Sequence, residues 1–392
     1  MQARALPLGR RRFHAAAAKA APARAKAPPR RPPDAGRILC VASCKGGVGK
    51  SSISLNLAAA FAQRGQRVGI LDLDIYGPSL PSLLPLGDQR LSGTAEGLIR
   101  PLVWTAGVPQ PLQFMSYGYL KPGEFAAVRG PIVSGIAQQL LTGIAWQGLD
   151  TLVIDMPPGT GDVHLTVSQQ VPVDAAVMVT TPQQLALVDV EKGIRMFDKV
   201  GIPTIAVVEN MSYFSCNSCG TRHSVFGEGG GKRLAEQFGI ESFHRLPLDP
   251  AFNSASAESS EGPMLARAGM ADREIVREVH GLAERVDAEL GVIAANRGRR
   301  TKATAVNNGA AIALSEGGGP ARELPARAVR LACRCAHCVD EWTGKLRLDP
   351  AKVPEDVVAL KVESAGRYAV NIQWSDLHTS IYPFTSLKAL AP

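Results

Sequence analysis

No apolar run in the sequence approaches the ~20 residues that cross a bilayer, so its hydropathy predicts no membrane-spanning helix. Aromatic residues are scarce at 5% of the chain, yet hydrophobic residues reach 45%, enough for a real core built mostly of aliphatic side chains. Acidic residues are missing from residues 1–33, which hold seven Arg and two Lys. The whole chain has a formal charge of +8 and a pI near 9.2, so everything after this stretch nets −1. A bulk basic footprint for nucleic acid is therefore absent from the remainder. The opening stretch also lacks the long apolar segment of a secretory signal. Its Ala-, Arg- and Pro-rich, acid-free composition predicts a removable organellar leader over residues 1–36. The absence of serine there points toward mitochondria, although Ala/Arg-rich leaders also serve algal plastids. Seven cysteines in a chain without a secretory signal suggest metal or redox chemistry rather than a disulfide framework.

Against these absences stands one concentrated signal, Ser-Cys-Lys-Gly-Gly-Val-Gly-Lys-Ser-Ser at residues 43–52. It lies between the apolar run Ile38–Val41 and an apolar-periodic segment containing Ile53, Leu55, Leu57, Ala58 and Phe61. Strand, glycine-rich turn and helix is the context of a phosphate-binding P-loop. Backbone N–H groups of Gly46, Gly47, Val48 and Gly49 are expected to face phosphate oxygens, helped by the dipole of the following helix. Lys50 is expected to reach the β/γ-phosphates of ATP, Ser51 to ligate Mg²⁺, and Ser52 to complete the binding loop. A second lysine, Lys45, resembles the signature lysine of the deviant Walker A ATPases. That resemblance implies a homodimer in which Lys45 reaches the partner's nucleotide.

From Arg37 onward the pattern alternates strands with helices, which predicts a doubly wound, mostly parallel α/β sheet. Strands are expected at Arg67–Leu73, Thr151–Asp155, Ala175–Thr180, Thr204–Val208 and near Phe243–Leu246, with short additional strands in Leu98–Trp104 and Pro111–Tyr117. Helices are expected at Pro131–Trp146 and Asp272–Leu290. The latter places Ile275, Val276, Val279, Leu282, Ala283, Val286 and Leu290 on one face. Ligands of such sheets gather at the carboxyl ends of the strands, and carboxylates recur there. Asp155 is placed as a Walker B residue holding Mg²⁺ through water. Asp74, with Asp72 close by, resembles a switch I aspartate that orients attacking water. Asp162, flanked by Gly159 and Gly161, resembles a γ-phosphate sensor in switch II. Asn210 matches the family position that reads the adenine edge.

Cys216 and Cys219 form a C-x2-C pair. Two thiolates cannot complete a tetrahedral zinc site or a four-cysteine cluster. If two subunits meet, two such pairs supply four thiolates for a bridging [4Fe-4S] cluster; half of a zinc knuckle is the alternative. The motifs Asp-Ile-Tyr-Gly-Pro-Ser-Leu-Pro, Val128-Arg129-Gly130-Pro131, Ile-Asp-Met-Pro-Pro-Gly-Thr-Gly-Asp and Val-Glu-Asn-Met-Ser-Tyr-Phe, together with the P-loop, resemble the Mrp/ApbC family of iron–sulfur cluster carriers over about Arg37–Leu290. Cys44 and the C-terminal extension look most like its plastid branch, which turns the expected location toward the plastid with the mitochondrial matrix as alternative. The small N-terminal domain usual in that branch does not occur before the P-loop, and the C-x2-C pair is typical of bacterial and mitochondrial members. The resemblance implies a slow ATPase that assembles and transfers [4Fe-4S] clusters as a homodimer. Upstream cluster donors and apo acceptor proteins are its partners, without nucleic acid.

Residues 291–325, with Gly317-Gly318-Gly319-Pro320, read as a linker. A small β-rich domain is expected over residues 326–392, including a hairpin of Tyr368–Trp374 and Thr379–Phe384 around the turn Ser375-Asp376-Leu377-His378. Cys333, Cys335 and Cys338, with His337 between, are candidates to hold zinc or receive a cluster; packing as small apolar residues is the alternative. Two other functions stay open on the sequence: a Min/Par-like positioning ATPase, and an electron donor resembling the nitrogenase reductase.

Overall fold

Ile38 to Ala42 are each at most 1% exposed, so the first strand has no solvent side. Such a run without alternation is what a strand covered on both faces requires. In the computed structural model it forms β1 (Ala35–Ala42) at the centre of a nine-stranded sheet. The structure describes residues 35–122, 130–216, 218–249, 252, 262–267, 269–295, 301–317, 319–335, 338–339, 345–365 and 369–390. The expected leader thus lies outside the described residues except for Ala35 and Gly36, which already belong to β1. Val128, Arg129 and His337 also lie outside them.

The remaining strands are β2 (Val68–Asp72), β3 (Leu102–Trp104), β4 (Leu112–Ser116), β5 (Leu149–Asp155), β6 (Ala175–Thr180), β7 (Thr204–Ser215), β8 (Arg222–His223) and β9 (Ser242–Pro247). Their order is β3-β4-β2-β5-β1-β6-β7-β8, with β9 also paired to β7. All pairs are parallel except β3 with β4 and β8 with β7. Register fixes the chemistry of one end: Asp155 lies opposite Val41 on one side and Asp72 on the other.

Helices cover both faces: α1 (Lys50–Gln63), α2 (Leu80–Leu83), α3 (Tyr117–Leu120), α4 (Gly130–Thr142), α5 (Asp162–Gln170), α6 (Gln184–Lys199), α7 (Gly230–Gln237) and α8 (Glu274–Ala295). Helix α1 buries every residue from Ile53 to Ala62, so the expected one-sided periodicity becomes an all-round apolar helix suited to the interior. Helix α8 buries the seven residues predicted for its face. Each larger side chain among them contributes about 1.5–3 kcal/mol of burial. Asp287 of α8 pairs with Arg37 at 2.9 Å and accepts from Gln66 at 2.9 Å, tying the helix to the edge of the core. Helix α4 stops at Thr142, short of the expected Trp146, because Gly143 leads into a bridge between Ile144 and Ile99.

The expected linker needs correction. Residues 301–325 form an antiparallel sheet of β10 (Thr301–Val306), β11 (Ala311–Glu316) and β12 (Arg322–Pro325). Its Asn and Gly residues are turn positions: Asn307, Asn308, Gly309 and Gly317 have φ of 53°, 54°, 86° and 56°. Between them Ile312 and Leu314 point into a second core. Helix α9 (Ala326–Leu331), a sheet of β13 (Ala359–Ala365), β14 (Ala369–Trp374) and β15 (Thr379–Pro383), and α10 (Phe384–Ala389) complete that unit. Trp374, Tyr382, Phe384 and Leu387 fill its centre together with Cys333 and Cys338.

Candidate functional site

The loop leaving β1 turns at Gly47 (φ 77°) and Gly49 (φ 83°), conformations that strain any residue with a Cβ. Helix α1 then starts at Lys50 with no acidic residue in its first turn. Its free N–H groups and positive dipole end suit an anion. In front of them is a cavity of about 450 Å³, lined by Lys45, Gly46, Gly47, Gly49, Lys50, Ser51 and Ser52 from the loop, and by Asp74, Ser79, Pro158 and Met211 from neighbouring strand ends. A Cβ added at Gly46 or Gly47 would meet nothing within 4 Å, so the cradle is open to a ligand.

Behind the cavity Lys50 Nζ lies 2.6 Å from Asp155 Oδ1, with both side chains almost wholly buried. Ser54 Oγ donates to the same oxygen at 2.7 Å, a partner that sequence reasoning missed because a helix-interior serine carries no motif of its own. Lys50 Nζ also donates to Ser51 Oγ at 3.2 Å. The oxygens of Ser51 and Asp155 thus both meet the Lys50 ammonium beside the cavity. Asp72 is buried and serves the backbone: it accepts from Asp74 N at 2.9 Å, Leu80 N at 3.2 Å and Ser116 Oγ at 3.0 Å. Burial and the neighbouring Asp155 push its carboxyl up to about 7, against the pull of Lys50. Asp74 faces the cavity, and burial raises its pKa while Lys50 opposes the rise.

Val48 keeps its place in the loop with its side chain buried, which leaves its expected part, played by the backbone N–H, unaffected. Two other expected site residues take different positions. Asp162 is exposed at the first turn of α5, and the preceding loop contributes Pro158 to the cavity wall instead; Gly159 N donates to Ser43 O at 2.9 Å and ties this loop to the P-loop. Asn210, expected at an adenine edge, is 1% exposed and donates Nδ2 to Val48 O at 2.9 Å. Its amide supports the P-loop backbone, and Met211 is the residue that reaches the cavity.

Strand β7 continues past the sheet into a hairpin with β8, pairing Phe214 with His223 and Ser215 with Arg222. Cys216 and Cys219 form its tip. Cys216 N donates to Thr221 O at 2.9 Å and Gly220 N to Cys216 O at 2.8 Å, with Gly220 at φ 70°. Cys216 is half-buried and Cys219 exposed. The Thr221 hydroxyl, 3.2 Å from Cys219 Sγ, leads the hydrogen bonds that hold this thiol below its ordinary range. The base of the hairpin is clamped by Glu274, which accepts from Tyr213 Oη at 3.0 Å and Ser215 Oγ at 2.8 Å and pairs with Arg222.

The second unit gathers a different cluster. Cys333, Cys335 and Cys338 place their sulfurs 3.3, 3.6 and 3.7 Å from His378 Nε2, and all four ligand atoms lie within 4.8 Å of one another. Tetrahedral bonds of about 2.3 Å to sulfur and 2.0 Å to nitrogen imply sulfur–nitrogen separations of about 3.5 Å. One mononuclear ion fits this spacing, whereas a four-iron cluster takes each ligand on a different iron and spreads them further. The side chain of Cys335 and burial push the Cys333 thiol up, and burial holds His378 below its usual range. His378 was legible in sequence only as part of a turn. Leu377, at φ 63°, is what aims the chain back so that His378 meets the cysteines.

The nucleotide-binding unit matches the ParA family description "NUBPL iron-transfer P-loop NTPase" over residues 34–286. Residues 307–388 match "Gamma-butyrobetaine hydroxylase-like, N-terminal". The chain is 40% identical over 360 residues to the chloroplastic Fe-S cluster assembly factor HCF101 of Oryza sativa, covering 90% of this chain and 64% of that protein. It therefore spans somewhat less than two thirds of that relative's length. It is 51% identical over 216 residues to the iron-sulfur cluster carrier protein of Pseudomonas fragi, covering 54% of this chain and 72% of the relative. A solved nucleotide-binding protein of Archaeoglobus fulgidus in complex with ADP superposes with a TM-score of 0.52 at 36% identity, over 62% of this chain and 92% of that one. The P-loop cradle, the parallel sheet and these likenesses agree, and the chain belongs to the NUBPL-type iron-transfer P-loop NTPases.

Proposed function

We propose that this protein is an ATP-dependent iron–sulfur cluster scaffold and carrier, working as a homodimer that receives [4Fe-4S] clusters from upstream donors and passes them to apo acceptor proteins. The observation that carries this reading is one strand: β7 supplies Met211 to the nucleotide cavity and ends at Ser215, directly before Cys216. In this reading Lys50 neutralises phosphate charge, Ser51 and Asp155 hold Mg²⁺, Asp74 orients the attacking water, and Lys45 serves the partner's nucleotide. Asp162 responds to the γ-phosphate from the start of α5. Hydrolysis changes the dimer and so gates loading and release of the cluster, which Cys216 and Cys219 of two subunits hold between them.

The second unit is proposed to hold one zinc ion on Cys333, Cys335, Cys338 and His378; the short sulfur–nitrogen distances favour it over a cluster. A plastid location is supported by the chloroplastic relative, and an organellar one by the acid-free composition of residues 1–33, with the mitochondrial matrix as the alternative. Anaerobic reconstitution with iron and sulfide tests the carrier reading. About one [4Fe-4S] cluster per dimer is expected, because four thiolates make one site. Cys216→Ser or Cys219→Ser should abolish it while leaving ATP binding intact. A full cluster retained in the double variant would contradict the assignment.

A further inference from the structure

β7 and β9 pair regularly through Val208 with His244 and Glu209 with Arg245, and pairing resumes only at Tyr213 with Pro247. Three residues of β7 therefore stand against one of β9, a bulge set between the nucleotide cavity and the cysteine hairpin. Met211, at its apex, has φ 55°, a left-handed conformation that a residue with a Cβ adopts only when its surroundings enforce it. Met211 lines the cavity, and its neighbour Asn210 holds Val48 of the P-loop. The bulge is thus in contact with whatever occupies the cradle.

What enforces it is a buried acid that nucleotide chemistry does not use. Glu209 is wholly buried, and its carboxylate accepts from the hydroxyl of Ser212, on the far side of the bulge, and from Gly231 N at 3.2 Å. Arg245 Nε donates to Ser212 Oγ at 2.7 Å and lies 3.6 Å from Glu209. A Cβ at Gly231 would come within 2.6 Å of Glu209 Oε2, so the glycine start of α7 leaves room for that carboxylate. Beyond the bulge the strand has no slack. The guanidiniums of Arg222 and Arg245 lie 4.6 and 5.5 Å from the Tyr213 ring centroid, and Glu274 grips Tyr213 and Ser215 just before Cys216.

We propose that the Asn210–Ser212 bulge relays occupancy of the nucleotide cavity to the Cys216–Cys219 hairpin, with Glu209 and Ser212 as its positioning residues. The inference rests on the reading of the cavity and of the two thiols given above, and adds the route between them. The bulge interrupts the pairing of β7 with β9 between the two sites, and the relay requires of it a second pairing that both sites bias. Displacing Met211 re-pairs the bulge, and the taut segment Tyr213–Ser215 carries the change to the thiols.

Site-resolved alkylation of the cluster-free full chain tests this, with Cys216 and Cys219 followed by peptide mass spectrometry, with and without Mg²⁺ and a non-hydrolysable ATP analogue. Nucleotide binding is measured separately on the same samples. In the unaltered protein the analogue should change the alkylation rate of Cys219 by about fivefold or more, the lower range of site-to-site coupling. Ser212→Ala should bind the analogue as before but reduce that change to less than about twofold, and Ser212→Thr, which keeps the hydroxyl, should restore it. Glu209→Gln provides a second, near-isosteric break of the same contact. A fivefold response persisting in Ser212→Ala and Glu209→Gln would overturn the relay; it is also what simple shielding by a dimer partner would give. A bound analogue without any response in the unaltered protein would overturn it too. Failure of the analogue to bind would instead remove the reading of the cavity, and the relay with it.

Discussion

Cys216 and Cys219 sit at the tip of a short hairpin, half-buried and exposed, whereas Cys333 and Cys338 are 1% and 2% exposed inside a second core. The first pair offers two sulfurs from one chain and stops there. The second set adds Cys335 and His378 and closes a four-ligand shell, braced by Arg330, which reaches Cys338 Sγ at 3.5 Å and pairs with Asp376 at 2.8 Å. Metal sites divide on this feature: closed tetrahedral shells hold structure together, and open ones exchange ligands. In the proposed reading one chain carries both kinds, and the Cys216–Cys219 pair is the one that continues a strand bordering the nucleotide cavity.

The comparison breaks most visibly at the closed site. His378→Ala should lower zinc from about one per chain to near zero and unfold the second unit, since structural zinc binding is worth about 10–16 kcal/mol of folding free energy. Metal analysis with limited proteolysis checks this, and the ATPase unit should remain protected. Iron loading at the hairpin should also survive in that variant. A smaller effect is expected at the cradle. Lys50→Ala should slow ATP hydrolysis by at least about a hundredfold, the usual cost of losing one preorganised charge at a reacting centre. Zinc content should not move. Lys45→Ala should retain nucleotide binding and lose only the step that needs a dimer; full steady-state hydrolysis in this variant would argue against a lysine acting across subunits.

What was legible in the sequence was what is encoded locally. The P-loop announces itself because glycines at fixed spacing and a lysine must sit between a strand and a helix, and the structure places Lys45, Lys50, Ser51, Ser52 and Asp74 around one cavity. The buried face of α8 was legible because its period is helical. Three-dimensional facts were not. Asn210 lies at the expected strand end, but tertiary packing turns its amide to Val48, and no pattern in the chain encodes that turn. Residues 301–325 read as a linker because their Asn and Gly content masked a short alternation around Ile312 and Leu314. His378 stands 40 residues from Cys338 and joins it only through the pairing of β14 and β15.

The contrast between an open and a closed metal site is tested most directly by iron and zinc counted on one sample. The reconstituted full chain would be mixed with ATP, Mg²⁺ and excess apo acceptor, separated again, and analysed for both metals. The account predicts that iron falls from about four per dimer toward zero, the content of one [4Fe-4S] cluster, while zinc stays near one per chain. Iron and zinc leaving together, or iron staying bound while the acceptor remains empty, would contradict it.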